Sequence, residues 1–141
     1  MKKPTITTTR SEIAKLKRKA ASQRLENLFA LKWRSIEGPA LEREFKFDGV
    51  RDWRFDFCHI YTKTAIEIQG GIWLRYGAHN TGSAITRDCE KSLAATLLGW
   101  TVIHLVETQI TSETLVTIRC FIIKRRLNLD AIDAYRSQAY L

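Results

Sequence analysis

The sequence predicts an α/β domain with the element order α-β-β-β-α-β-α, and three observations carry that prediction. Apolar residues recur at helical spacing ahead of residue 38. Three strand-like runs then follow between residues 43 and 70, the first two rich in aromatics, with short connections. Beyond a glycine-rich stretch the pattern becomes helix, short apolar strand, helix.

The first helix is expected from about Ser11, a suitable N-cap, to Ile36, with Gly38-Pro39 ending it. Leu25, Leu28, Phe29, Lys32 and Ile36 share one face, so the second half docks while the basic first half extends outward. "REFKFD" (Arg43–Asp48) is the first strand. "WRFDFCHI" (Trp53–Ile60) is the second, with Trp53, Phe55, Phe57 and His59 on one face and Arg54, Asp56, Cys58 and Ile60 on the other. "TAIEIQG" (Thr64–Gly70) is the third, and the short connections favour antiparallel pairing of neighbours. Residues 70–86 hold four glycines and read as a long excursion of the functional kind. A helix over about Arg87–Leu98 ends at Gly99, and "WTVIHLV" (Trp100–Val106) is the fourth strand. A helix capped by Ser112 runs to Arg126, with a separate helical tail near Asp130–Ala139.

The chain of 141 residues is 45% apolar, enough for one domain, and no apolar run is long enough to span a membrane. "MKKPTITTTR" has no apolar segment behind its basic start, so no secretory signal is expected. Three widely spaced cysteines with no CxxC pair point to reduced thiols in a cytoplasm rather than a disulfide framework or zinc site. The net charge of +8 is unevenly spread. Residues 1–24 carry eight bases against Glu12 alone, while the other 117 residues carry 15 bases against 14 acids. A basic arm, residues 1–24, thus precedes a nearly neutral domain, residues 25–141. Such an arm suits a polyanion, nucleic acid first and an anionic membrane surface second.

Two acids stand out because they lie inside apolar strands: Asp56 and Glu67. In a hairpin of the second and third strands they come together on one side. Paired carboxylates repel unless they share a proton or a cation, and a hard divalent ion, Mg²⁺ or Mn²⁺, suits oxygen ligands. The competing expectation is a structural salt bridge from Asp56 to Arg54 or Arg51. No phosphate-cradling loop occurs, since "GGIWLRYG" lacks a following GK[ST], and no Ser-His-Asp arrangement is suggested.

The run "RDWRFDF…AIEIQGGIW…H…G…RDCEK…LLGW.V" resembles the PD-(D/E)XK nuclease superfamily, especially its small phage-type members, over about residues 24–106. The resemblance implies a restriction-endonuclease-like αβββαβα core, a mixed central sheet flanked by helices. It makes Asp56 the metal-bridging aspartate, Glu67 the first acid of the ExK element, Ile68 a carbonyl ligand and Glu26 the helical glutamate that completes the site. Glu44, in the first strand, is a reserve acid. The departure is Gln69, where the superfamily usually carries lysine. Lys91, on the helix with Arg87 and Asp88, is the substitute cation. In the glycine-rich excursion His79 is a candidate general base or phosphate contact and Arg75 a candidate phosphate contact, while His59 and His104, in strands, are expected to be structural.

The function so implied is Mg²⁺-dependent (or Mn²⁺-dependent) endonucleolytic hydrolysis of DNA, by a homodimer in the cytoplasm of a bacterial host, encoded by that host or by a phage. Lys15, Lys17, Arg18, Lys19 and Arg24 would bind the DNA backbone. A Holliday-junction resolvase or homing-type endonuclease of the same fold stands beside this reading. So do a DNA-binding module in which catalysis has decayed and a protein-interaction subunit with structural acids.

Overall fold

A computed structural model describes residues 9–70 and 82–139. It has an α/β architecture with one four-stranded mixed sheet and three long helices. The elements are α1 (Arg10–Ser35), β1 (Glu42–Lys46), β2 (Arg54–His59), β3 (Thr64–Gln69), α2 (Gly82–Leu97), β4 (Thr101–Val106) and α3 (Ser112–Ala139). A 3₁₀ turn at Glu107–Gln109 precedes α3. The strand order is β1-β2-β3-β4, antiparallel up to β3 and parallel between β3 and β4. The parallel pair needs a crossover, and α2 lies within it.

Two cores cover the sheet. On one side Leu25, Phe29 and Trp33 of α1 and Leu115, Ile118 and Ile122 of α3 pack with Phe57, Ile66, Ile68 and Leu105. On the other, Ala95 of α2 packs with Phe55, Cys58 and Ala65, supported by Phe45, Phe47, Trp100 and Val102. β3 is buried along nearly its whole length, as a central strand covered on both faces should be.

Several expectations are corrected in detail. Helix α1 is capped by Thr9, not Ser11. Thr9 and Glu12 form a reciprocal capping box, with the Thr9 amide 2.7 Å from the Glu12 carboxylate. Glu37, at φ 54°, takes the left-handed position after α1. Gly38 serves a different need there, because a Cβ on it would fall inside the Trp33 indole. The indole nitrogen donates to the Pro39 carbonyl at 2.8 Å, which holds the ring in place.

Alternation along β2 is broken. Phe57 joins the core under α1 and α3, whereas Phe55 joins the core under α2, so the two do not share a face. The break falls at Asp56, opposite Glu44, which adopts φ 50° within β1. Helix α2 starts at Gly82, five residues before the expected Arg87. Thr86 Oγ1 bonds back to the Gly82 carbonyl and so works within the helix despite the loop-like composition.

Helix α3 is one piece to Ala139, because residues 127–129 contain no glycine or proline to end it. The Tyr61 hydroxyl also reaches Asp130 at 2.8 Å and Asp133 at 3.3 Å, tying the far part of α3 to the β2–β3 turn. The cap of α3 is Thr111, whose hydroxyl accepts from the Thr114 amide, rather than Ser112.

All three cysteines are free thiols, Cys58 buried and Cys89 and Cys120 exposed. No helix among the described residues is long and apolar enough to cross a membrane.

Gly38→Ala should destabilise the protein by about 1–3 kcal/mol, since the new methyl and the Trp33 ring cannot share the space. Urea denaturation followed by tryptophan fluorescence measures it, and an unchanged midpoint contradicts the packing described.

Candidate functional site

The β2–β3 ladder runs from His59↔Thr64 to Phe57↔Ile66 and ends there. One step further, the Asp56 carboxylate accepts the Ile68 amide at 2.7 Å. A side chain thus takes a backbone donor that the ladder leaves over, as a buried N–H requires. Ile68 meets Asp56 through its nitrogen.

Glu67 is buried, and its carboxylate accepts from Lys91 Nζ at 2.8 Å. Lys91 reaches down from α2, and its ammonium also lies 5.7 Å from the centre of the Phe55 ring. Lys91, the cation expected from the sequence, therefore stands against Glu67.

Glu26 comes from the docked half of α1 and is 8% exposed. Ser22 donates to it at 3.2 Å and Arg43 at 3.4 Å. Glu44, the reserve acid, arrives from β1. Carboxylate oxygens of Glu26, Glu44 and Asp56 lie within 4.8 Å of one another. The left-handed backbone of Glu44 carries a steric penalty of about 1–2 kcal/mol for a residue with a Cβ.

Electrostatics follows from this crowding. Burial, then the negative charge of Glu67, pushes the Asp56 carboxyl up to about 6, against the lowering effect of the Ile68 amide. Burial likewise raises Glu67, and Lys91 opposes it. Arg51 and Arg54, the salt-bridge partners the sequence offered for Asp56, go elsewhere. Arg51 binds Glu90 at 2.6 Å and Arg54 binds Asp52 at 3.1 Å.

Asp56, Glu67 and Lys91 line a cavity of about 790 Å³ between the sheet and α2, together with Gln69, Asp88 and His104. Gln69 Nε2 lies 3.0 Å from His104 Nδ1. The sequence pattern places His104 among structural residues. The signal that brings it to the site is the parallel register, which sets His104 beside Glu67 and which the chain order alone does not reveal. His59 does have a structural setting, its Nδ1 2.9 Å from the Thr62 hydroxyl.

Within the basic arm, residues 10–24 belong to α1, which runs unbroken through them. Side chains from Thr9 to Ala21 are exposed, including Lys15, Lys17, Arg18 and Lys19. Arg24 instead pairs with Glu107 at 2.8 Å. Ser22 lines the cavity, so the exposed bases precede the site directly along one helix. His79 and Arg75 lie outside the described residues.

Compared with known proteins, the chain matches no family model, no curated protein and no solved structure.

The raised Asp56 value dictates a pH dependence. Well below its ordinary 3.8, the carboxyl is protonated in folded and unfolded chains alike. Between there and about 6 the folded chain keeps a proton that the unfolded chain releases, so stability falls as pH rises through this window. In EDTA, Asp56→Asn, which retains an acceptor for Ile68, should melt above the wild type at neutral pH, with the gap closing by about pH 4. Parallel melting curves for both proteins across that range would refute the assignment.

Proposed function

We propose that the chain is a metal-dependent nuclease of the PD-(D/E)XK superfamily that hydrolyses DNA phosphodiester bonds. The observation that carries this reading is the Lys91–Glu67 contact of 2.8 Å beside Asp56, inside one cavity. It gives the site a cation that the Gln69 variant of the motif lacks. The resemblance in the linear sequence and the strand order, antiparallel to β3 and parallel to β4, agree with the same assignment.

The acids fit a hard divalent cation. Three carboxylates converge within 4.8 Å, one of them with its proton affinity raised by burial and then by the charge of Glu67, and oxygen donors of this kind suit Mg²⁺ or Mn²⁺. Asp56, Glu26 and Glu44 would hold it, with Glu67 adjoining. When bound, such an ion neutralises phosphate charge and lowers the pKa of water.

The chain's own residues divide the remaining work. Lys91 offsets negative charge that builds on the phosphate in the transition state. Gln69 faces the same cavity and orients water. Asp56, anchored on the Ile68 amide, keeps the acids in fixed relation to the sheet. Lys15, Lys17, Arg18 and Lys19 attract the DNA backbone. A homodimer would present two such sites to two strands.

The decisive experiment incubates the protein with plasmid, linear, single-stranded and four-way-junction DNA, with Mg²⁺ or Mn²⁺ and with EDTA. Cleavage should require the metal and fall by about 100-fold or more in Asp56→Asn and Glu67→Gln, and by about 10–100-fold in Lys91→Ala. Activity surviving in either acid variant overturns the site, and binding without cleavage of any substrate identifies a binding module instead. For the arm, replacing Lys15, Lys17, Arg18 and Lys19 with serine should weaken DNA binding. The log–log salt slope should flatten by about 0.9 for each duplex phosphate the arm no longer neutralises. An unchanged slope removes the arm from the interface.

A further inference from the structure

We propose that His104 is a positioning residue: it turns the Gln69 amide so that its carbonyl oxygen, not its nitrogen, is offered to the attacking water. The proposal rests on the nuclease reading and gives a role to the position where the motif departs from lysine.

Three observations lead there. Parallel register pairs Glu67 with His104, so the two side chains emerge on one side of the sheet, and Gln69 follows two residues on from Glu67. Gln69 and His104 line the cavity that holds Asp56, Glu67 and Lys91. The contact itself joins Gln69 Nε2 to His104 Nδ1 at 3.0 Å.

The contact takes these roles when the amide nitrogen faces the ring. An amide nitrogen can only donate, so Nδ1 must accept, and the proton of the neutral imidazole resides on Nε2. With its nitrogen committed to the ring, the amide directs Oε1 away from His104. That oxygen accepts a hydrogen bond from water and leaves a lone pair of the water free to face phosphorus. Lysine at this position would bring donors and charge but no acceptor. Here the two tasks are divided: Lys91 brings the charge and Gln69 the acceptor. Without His104 the amide rotates freely between two faces, and half of its orientations present nitrogen to the water.

Two measurements test the pair. Imidazole ¹⁵N and ¹³C shifts should show His104 as the Nε2–H tautomer in the metal-free wild type, with its Nδ1 signal moving in Gln69→Leu. This readout does not depend on cleavage. In kinetics, His104→Leu should lower kcat by about 10–100-fold while KM stays within about twofold. His104→Asn, whose Oδ1 stands near the place of Nδ1 and accepts, should recover most of kcat. In a Gln69→Ala background, His104→Leu should cost little more. Melting curves confirm that each variant is folded.

An Nδ1–H tautomer, or wild-type kcat in His104→Leu, overturns the pair while leaving the nuclease reading intact. Failure of His104→Asn to exceed His104→Leu does the same. A wild type that cleaves no DNA overturns the nuclease reading and this proposal together.

Discussion

The hydrogen bond from the Ile68 amide to the Asp56 carboxylate, 2.7 Å long, is the constraint on which the rest of the site depends. It falls where the β2–β3 ladder ends, so it does for the strands what a backbone carbonyl would otherwise do. Because the acceptor is a side chain, a carboxylate is fixed at the point where the sheet changes character. On one side of it Phe57 enters the core beneath α1 and α3, and on the other Phe55 enters the core beneath α2. A stabilising bond and a concentration of negative charge therefore occupy the same few atoms.

That charge is only partly balanced. Glu26, Glu44, Asp56 and Glu67 converge from α1, β1, β2 and β3, while Arg43 and Lys91 answer them at 3.4 and 2.8 Å. Burial strengthens both the repulsion and the pairing. Burial first and this imbalance second raise the proton affinity of Asp56, and Glu44 adds backbone strain opposite it. The folded chain thus carries two costs at one place, a buried carboxylate crowded by like charge and a left-handed backbone beside it.

Much of the fold was legible because it rests on local pattern. The docked half of α1 follows from Leu25 and Phe29 at helical spacing. The β2–β3 hairpin follows from two short apolar runs with a tight turn. Asp56 and Glu67 were conspicuous because carboxylates are rarely placed in apolar strands without a partner. Lys91 was reachable because the resemblance implies a cation that Gln69 does not supply. Element ends were less legible. Gly82, Ser83 and Thr86 suggest a loop by composition yet open α2, and nothing in residues 127–129 marks the continuity of α3 except the absence of a breaker.

That Asp56, Glu67 and the glutamine at 69 are out of the ordinary is already specified in the linear chain, because a polar side chain in an apolar strand violates a local rule visible there. Their partners are a matter of tertiary packing. Phe55 and Phe57 divide between two cores because the ladder ends between them. Glu67 meets Lys91 because α2 crosses back over the sheet. His104 meets Gln69 because β4 lies parallel to β3, a register set by long-range packing and by no residue within reach along the chain.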